Sequence, residues 1–277
     1  MAKTEKKILK KKKNPSKKRK GSFFKLICMG IFSTIIVILT IGFTSALVIY
    51  YNIADELPDV RELKNFEPST VTLMYSDQDE LISELYLEKR ILIPLNKIPT
   101  QLKQAALAVE DANFYRHIGI DLKAISRAFL TNMKAGRIVE GGSTITQQLS
   151  KTLFLSRERS LIRKIKEAIL SIRLEIVFSK DEILEIYLNQ IYYGHGSYGV
   201  EAAARTYFGK NVQNLTLAES ALIAGLPKSP NNYSPYRNLK RARSRRNHVI
   251  RRMAQEGFIK RNEAEQAIKS KVKLGEV

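Results

Sequence analysis

EDANFYRHIGID, residues 110–121, and GGSTITQQLSK, residues 141–151, decide how this chain is read. The first sets two adjacent carboxylates, Glu110 and Asp111, where an apolar helix gives out. Leu102, Ala105, Ala106 and Val109 share one face of that helix, and Thr100 is placed to cap it. The second runs a glycine turn into a helix that carries hydroxyls, amides and a lysine. Gly141, Gly142 and Ser143 leave free N–H groups at a helix start, which can receive an anion. Thr144, Gln147 or Gln148, and Lys151 then recur at helical spacing along one polar face.

Working outward, residues 160–178 read as a further helix with Leu161, Ile162, Ile165, Ala168, Ile169, Ile172 and Ile176 as its apolar stripe. Arg159, Arg163 and Glu167 stand at i, i+4 and i+8 on the opposite face, flanked by Lys164 and Lys166. Such a row is either a set of surface ion pairs or a cationic cradle with a carboxylate inside it. Ser179–Glu182 and Thr216–Glu219 are capping boxes that open two more helices. Thr70–Tyr75 and Leu81–Pro94, either side of Ser76-Asp-Gln-Asp79, read as a small β-hairpin. The expected fold is mainly α with a minor β element near its start.

The charge of +20 is unevenly distributed. Residues 1–25 carry twelve Lys/Arg and one acid, and residues 237–277 carry thirteen against four; the stretch between is balanced. A nucleic-acid binder would cluster its basic residues on the folded domain, not in its tails. From Leu26 to Tyr51 there is no charged residue, and those 26 positions exceed what a bilayer-spanning helix needs. The basic run before them predicts a cytoplasmic N-terminus and an exported remainder. Cys28 is the single cysteine and lies inside this span, so the exported part is held by its core alone. The boundaries expected are a basic tail 1–25, a transmembrane helix 26–51, a linker 52–70, a catalytic domain 71–236 and a basic helical extension 237–277.

A carboxylate at a core edge has its pKa raised by desolvation and becomes a useful base. The alternative is that Glu110 is a helix-end charge and Asp111 a loop cap. Phe114 and Tyr115 suit a core, and His117 suits a hydrogen-bonded structural role. No metal-ligand spacing joins His117, His195 and His248.

Five ordered segments resemble the family 51 peptidoglycan glycosyltransferases. They are the two above, RKIKE at 163–167, IYLNQIYYGHG at 186–196 and AESALIAGLP at 218–227. This domain occurs in class A penicillin-binding proteins and in monofunctional transglycosylases, and the resemblance covers about residues 60–260. It implies a lysozyme-like helical head with a smaller, membrane-dipping jaw, in a single-pass protein of the bacterial cytoplasmic membrane. The implied reaction polymerises lipid II into β-1,4 glycan by inverting transfer, with undecaprenyl diphosphate leaving. By motif position Glu110 would be the general base, supported by Asp111, and Glu167 a second essential carboxylate. Lys151, Arg159, Arg163 and Lys164 would hold the diphosphate. Ser143, Thr144, Gln147 and Gln148 would line the donor cleft, with Phe114 and His117 also at substrate and Asn189 either there, on the acceptor side, or shaping the fold. Gly194, His195 and Gly196 would shape the acceptor side or the fold, and Pro227, Ser229, Pro230 and Asn232 the cleft wall.

The implied partners are lipid II and the growing glycan, the bilayer and other cell-wall synthesis proteins, with no nucleic acid. No cofactor is required, although carboxylates beside a diphosphate invite Mg or Mn near Glu110 or Glu167. A lysozyme-like hydrolase of finished glycan is the main rival; its substrate carries no diphosphate and would not call for Lys151, Arg159, Arg163 and Lys164 together. A silent scaffold would not need both carboxylates. Ser270-Lys-Val-Lys273 matches a Ser-x-x-Lys pattern by chance, without the partner motifs that chemistry needs.

Overall fold

The computed structural model describes residues 16–65, 72–78, 81–85, 89–156, 158 and 160–275. Arg159 and the first fifteen residues therefore lie outside the described residues, as do residues 66–71 of the expected linker and hairpin start. The chain forms two compact units, residues 1–56 and 57–277.

The first unit is one helix, α1 (Ser16–Ala54). Its stretch from Lys25 to Ala54 is long and apolar enough to cross a bilayer. Thr34, Thr40 and Thr44 turn their hydroxyls back onto the carbonyls of Gly30, Ile36 and Thr40, each at 2.9 Å. Polar side chains satisfied in this way carry no exposed donor into an apolar medium.

In the second unit the hairpin forms as expected, with β1 (Thr72–Tyr75) antiparallel to β2 (Leu81–Leu85). A three-stranded sheet of order β3-β5-β4 unites β3 (Lys89–Arg90), β4 (Tyr192–Gly194) and β5 (Ser197–Tyr198). The remainder is helical: α2 (Thr100–Glu110), α3 (Leu122–Ala135), α4 (Ile145–Phe154), α5 (Leu161–Val177), α6 (Lys180–Gln190) and α7 (Val200–Phe208). They are followed by α8 (Leu217–Gly225), the one-turn α9 (Pro230–Tyr233), α10 (Leu239–Gln255) and α11 (Arg261–Lys269). The chain is thus mainly α.

Every residue of α8 from Ala218 to Gly225 is buried, and its small apolar side chains let α2 and α10 pack closely on either side. Apart from Glu219 and Ser220 its side chains are apolar, which suits the centre of a core. Against this centre, α4 packs on α5 and α6. Ser179 and Thr216 form the capping boxes expected of them. Thr100 does not cap α2: it is the first helical residue, after Pro99, and its side chain makes no cap bond.

The largest correction concerns α5. The isoleucine stripe read as its core face points outward, with Leu161 84% and Ile176 78% exposed. The buried face carries Glu167, Leu170, Ser171 and Leu174 instead. Apolar residues occupy both sides of α5, so hydrophobic periodicity selected the wrong one. Polar groups win the inner face because each has a partner there: the Ser171 hydroxyl donates to the Glu167 carbonyl at 2.5 Å, and Ser150 lies 3.2 Å from Ser171.

Candidate active site

The site gathers where α2 ends against the start of α4. Asp111 is the C-cap of α2, and its N–H reaches the Leu107 carbonyl. Its carboxylate accepts the Ile145 N–H of α4 at 3.1 Å and lies 3.0 Å from Nε2 of His117. An anion at a helix N-terminus is favourable, so Asp111 sews the two helices together at the point where Glu110 emerges. Asp111 and His117 are both buried. They build this corner.

The glycine turn is fixed by a capping box between Thr144 and Gln147. The Thr144 hydroxyl also donates to the Gly119 carbonyl at 2.6 Å. Gly119 has φ +81°, and a Cβ there would stand 2.8 Å from the Ser171 backbone, so only glycine fits against α5. Thr144 and Gln147 are buried, and their side chains are spent on these bonds.

Gln148 meets Glu110. Its Nε2 donates to Oε2 of Glu110 at 2.9 Å, and its own Oε1 accepts the Tyr187 hydroxyl at 3.3 Å. Desolvation raises the pKa of Glu110, and neighbouring Asp111 adds to the rise. The Gln148 hydrogen bond and the charges of Arg245 and Lys228 oppose it. Desolvation of this kind makes a carboxylate a stronger base than an exposed glutamate.

Glu167 sits inside the site from the buried face of α5, 1% exposed. Arg163 Nη1 donates to its Oε1, and Lys164 Nζ donates to Oε2 at 2.5 Å and to the Ser143 hydroxyl at 3.1 Å. The glycine turn and α5 are thereby joined through one lysine. Lys151 stands between the two carboxylates in charge terms. Desolvation holds its ammonium below the usual lysine pKa and Lys164 and Arg163 repel it, while Glu167 and Glu110 pull the other way. Lys151, Arg163 and Lys164 set three cations against Glu167.

Other expected residues lie elsewhere. Phe114 is buried in the core, with Lys180 Nζ 4.4 Å from its ring centroid. Asn189 is buried too: its Oδ1 accepts the Ile93 N–H at 3.0 Å, and its Nδ2 donates to the carbonyls of Ile93 (2.9 Å) and Glu185 (3.0 Å). His195, at φ 50°, lies 2.8 Å from the Ser234 hydroxyl and edge-on to Tyr207 and Tyr236. Gly194 lies beneath the Tyr207 hydroxyl, 2.8 Å from where its Cβ would be, and Asn232 bonds Ser229 at 2.9 Å.

Among the described residues no three His, Cys, Asp or Glu side chains converge to hold a metal ion. Both Glu167 oxygens are engaged by cations, and Glu110 faces Arg245 and Lys228. These residues do not form a resident divalent-cation cage, and a metal near them would need a diphosphate for its other ligands.

Sequence reasoning missed Tyr187, Lys228 and Arg245. Arg245 had a readable signal: it falls with Ala242, Val249, Ile250 and Met253 on the buried face of α10, where a charge is out of place.

Residues 78–254 match the family model described as Transglycosylase. The chain belongs to the transglycosylase family. It is 47% identical over 244 residues to penicillin-binding protein 1A of Aquifex aeolicus, covering 88% of this chain and 33% of that protein. With the proteins of the same name from Rickettsia bellii and Escherichia coli the identities are 48% and 47%, over 83% and 79% of this chain and 29% and 26% of theirs. The chain thus spans about a third or less of the length of these relatives. A 2.6 Å crystal structure of penicillin-binding protein 1A from Haemophilus influenzae matches 76% of this chain and 22% of that one, at 31% identity and a TM-score of 0.47. The matched region takes in both carboxylates, the glycine turn and most of α10.

Proposed function

We propose that the chain polymerises lipid II, with Glu110 as the general base. The 4-hydroxyl of the acceptor N-acetylglucosamine attacks the anomeric carbon of the donor N-acetylmuramic acid and passes its proton to Glu110. The bond to the diphosphate oxygen breaks, undecaprenyl diphosphate leaves, and the α-linked donor becomes a β-1,4 link. Inversion needs the base and the leaving group on opposite faces of the sugar. A diphosphate is already a good leaving group, so the enzyme chiefly supplies a base and charge stabilisation.

The observation that carries this reading is the pairing of a desolvated Glu110 with the group Lys151, Arg163 and Lys164. Burial makes the first a base, and the second has more positive charge than Glu167 neutralises. Lys151 and the half-exposed Lys164 would meet the diphosphate oxygens; Arg163 and Glu167 would keep the cradle in shape. Any divalent ion would arrive with the diphosphate, and no step depends on it. A lytic hydrolase would have no use for these cations.

Placement at a membrane is supported by α1 and by the outward apolar residues of α3, among them Leu122, Phe129 and Met133. The N-terminal lysine run supports a cytoplasmic N-terminus with the catalytic unit outside. The test is incubation with labelled lipid II, products separated by length, beside Glu110→Gln. Glycan strands from the wild type and none from the variant are expected. Unchanged lipid II with cleavage of preformed glycan would replace the polymerase reading with the hydrolase.

A further inference from the structure

α10 brings two buried arginines onto its apolar face, and they do different things. Arg246 is accounted for structurally: Nη1 and Nη2 donate to the carbonyls of Ser270 and Ile268 at 3.1 and 2.8 Å, closing the end of α11. Arg245, 8% exposed, is aimed the other way. Its Nε donates to the Gly225 carbonyl at the end of α8, at 3.1 Å. Its Cγ lies under Gly225, where a Cβ would come within 2.9 Å. Its guanidinium carbon is 5.7 Å from the centroid of the Tyr233 ring. Held by these contacts, its Nη2 stands 3.7 Å from Oε1 of Glu110.

We infer that Arg245 is the positioning residue for the Glu110 carboxylate, holding it against Gln148 while leaving Oε1 free for the acceptor hydroxyl. The inference rests on the reading of Glu110 as the base. The separation matters: 3.7 Å is too long for a hydrogen bond, so Oε1 keeps its lone pairs, yet it is short enough for strong attraction between the charges in a buried site. A bidentate pair would consume the oxygens and hold the carboxylate ionised. An untethered cation would collapse onto it. The tether to Gly225 holds the intermediate spacing, and arginine keeps its charge at every working pH. Arg252, two turns further along α10, donates to the Ala108 carbonyl at 3.4 Å and ties α10 to the last turn of α2.

The groups that act on Glu110 come from several elements. Gln148 and Lys151 come from α4, Arg245 from α10, Lys228 from the segment after α8, and Asp111 from its own chain end. The buried hydroxyls of Tyr187 on α6 and Tyr193 on β4 also feel its charge. His248, beside Arg245 and Lys228, has its pKa lowered by desolvation and by those cations. Arg245 is the cation that contacts Glu110 most directly.

The test uses the full chain in detergent micelles, as wild type, Arg245→Gln, Arg245→Lys and Glu110→Gln. Two quantities are measured across pH: lipid II polymerisation, and the 13C resonance of the Glu110 carboxyl, assigned by its loss in Glu110→Gln. Removing the charge in Arg245→Gln should move the Glu110 midpoint and the acid limb of kcat upward together, by about one pH unit or more. At neutral pH kcat should fall about tenfold or more with KM little changed. Arg245→Lys should retain part of the midpoint but not the rate, because lysine has no Nε to bind Gly225. A midpoint unmoved in both variants, with rate following thermal stability alone, would reduce Arg245 to a packing residue and overturn the inference. Turnover retained in Glu110→Gln would overturn the base reading instead, whatever the resonance did.

Discussion

Replacing Asn189 by leucine, which has the same branching and number of side-chain heavy atoms but no polar group, separates a substrate contact from a structural clasp. Family position leaves Asn189 either at substrate or in the fold, and its side chain here spends Oδ1 and Nδ2 on the N–H and carbonyl of buried Ile93 and on the Glu185 carbonyl. Leucine would strand the two Ile93 groups away from water. A buried backbone group left unsatisfied costs about 1–3 kcal/mol, so the pair should cost about 3 kcal/mol after the small gain from an apolar side chain. For a unit of this size each kcal/mol lowers Tm by roughly 2–4 °C, which makes the expected drop about 6–12 °C. Thermal unfolding in detergent reads the first quantity. Lipid II polymerisation, well below the variant's Tm, reads the second. The clasp predicts a large fall in Tm with KM and kcat of the folded protein within about twofold of wild type. An unchanged Tm with a many-fold higher KM would refute it and return Asn189 to the substrate.

Glu167→Gln leaves the mostly buried Arg163 unpaired; because Lys164 is half exposed and can turn to solvent, destabilisation near the low end for a broken buried pair, about 3 kcal/mol, is expected together with loss of polymerisation. Wild-type stability with full turnover would remove Glu167 from both roles. Gly119→Ala forces a side chain onto φ +81° and against the Ser171 backbone, and should cost about 2–4 kcal/mol in chemical unfolding; a neutral result would mean that the loop carrying the Thr144 bond is slack. The raised pKa of Glu110 predicts that the acid limb of the rate lies above the ordinary glutamate range. Because the folded protein then holds this proton more tightly than the unfolded chain, the group's contribution to stability is fully present below the unfolded pKa. It is lost as pH rises through the folded value. Glu110→Gln should abolish that pH-dependent loss while abolishing turnover, which parallel unfolding curves at several pH values would check.

Much of this was legible in the residues. The charge-free run of α1, the hairpin, the capping boxes at Ser179 and Thr216, and the helix that ends at Glu110 follow from local chemistry that operates within a few residues. The five ordered motifs resemble the family's in residue order alone. Carboxylates, glycine turn and cations were all visible as residue types at useful spacings. What they touched was not. Apolar side chains on both faces of α5 made its inward face undecidable by periodicity, and the partners that seat Glu167 and Ser171 inside come from α4 and from the site itself.

The same reason governs the site. Sequence by itself determined that a pair of carboxylates, a row of cations and a helix long and apolar enough to span a bilayer belong to one chain, because residue type and local spacing suffice for that. Only tertiary packing decided that Asp111, His117, Thr144, Gln147 and Asn189 are spent on holding the frame, while Gln148 and the distant Arg245 meet Glu110. Arg245 is 135 positions along the chain from Glu110. Burial, which sets both the proton affinity of the carboxylate and the strength of its neighbours' charges, exists only once α2, α4, α8 and α10 have closed around it.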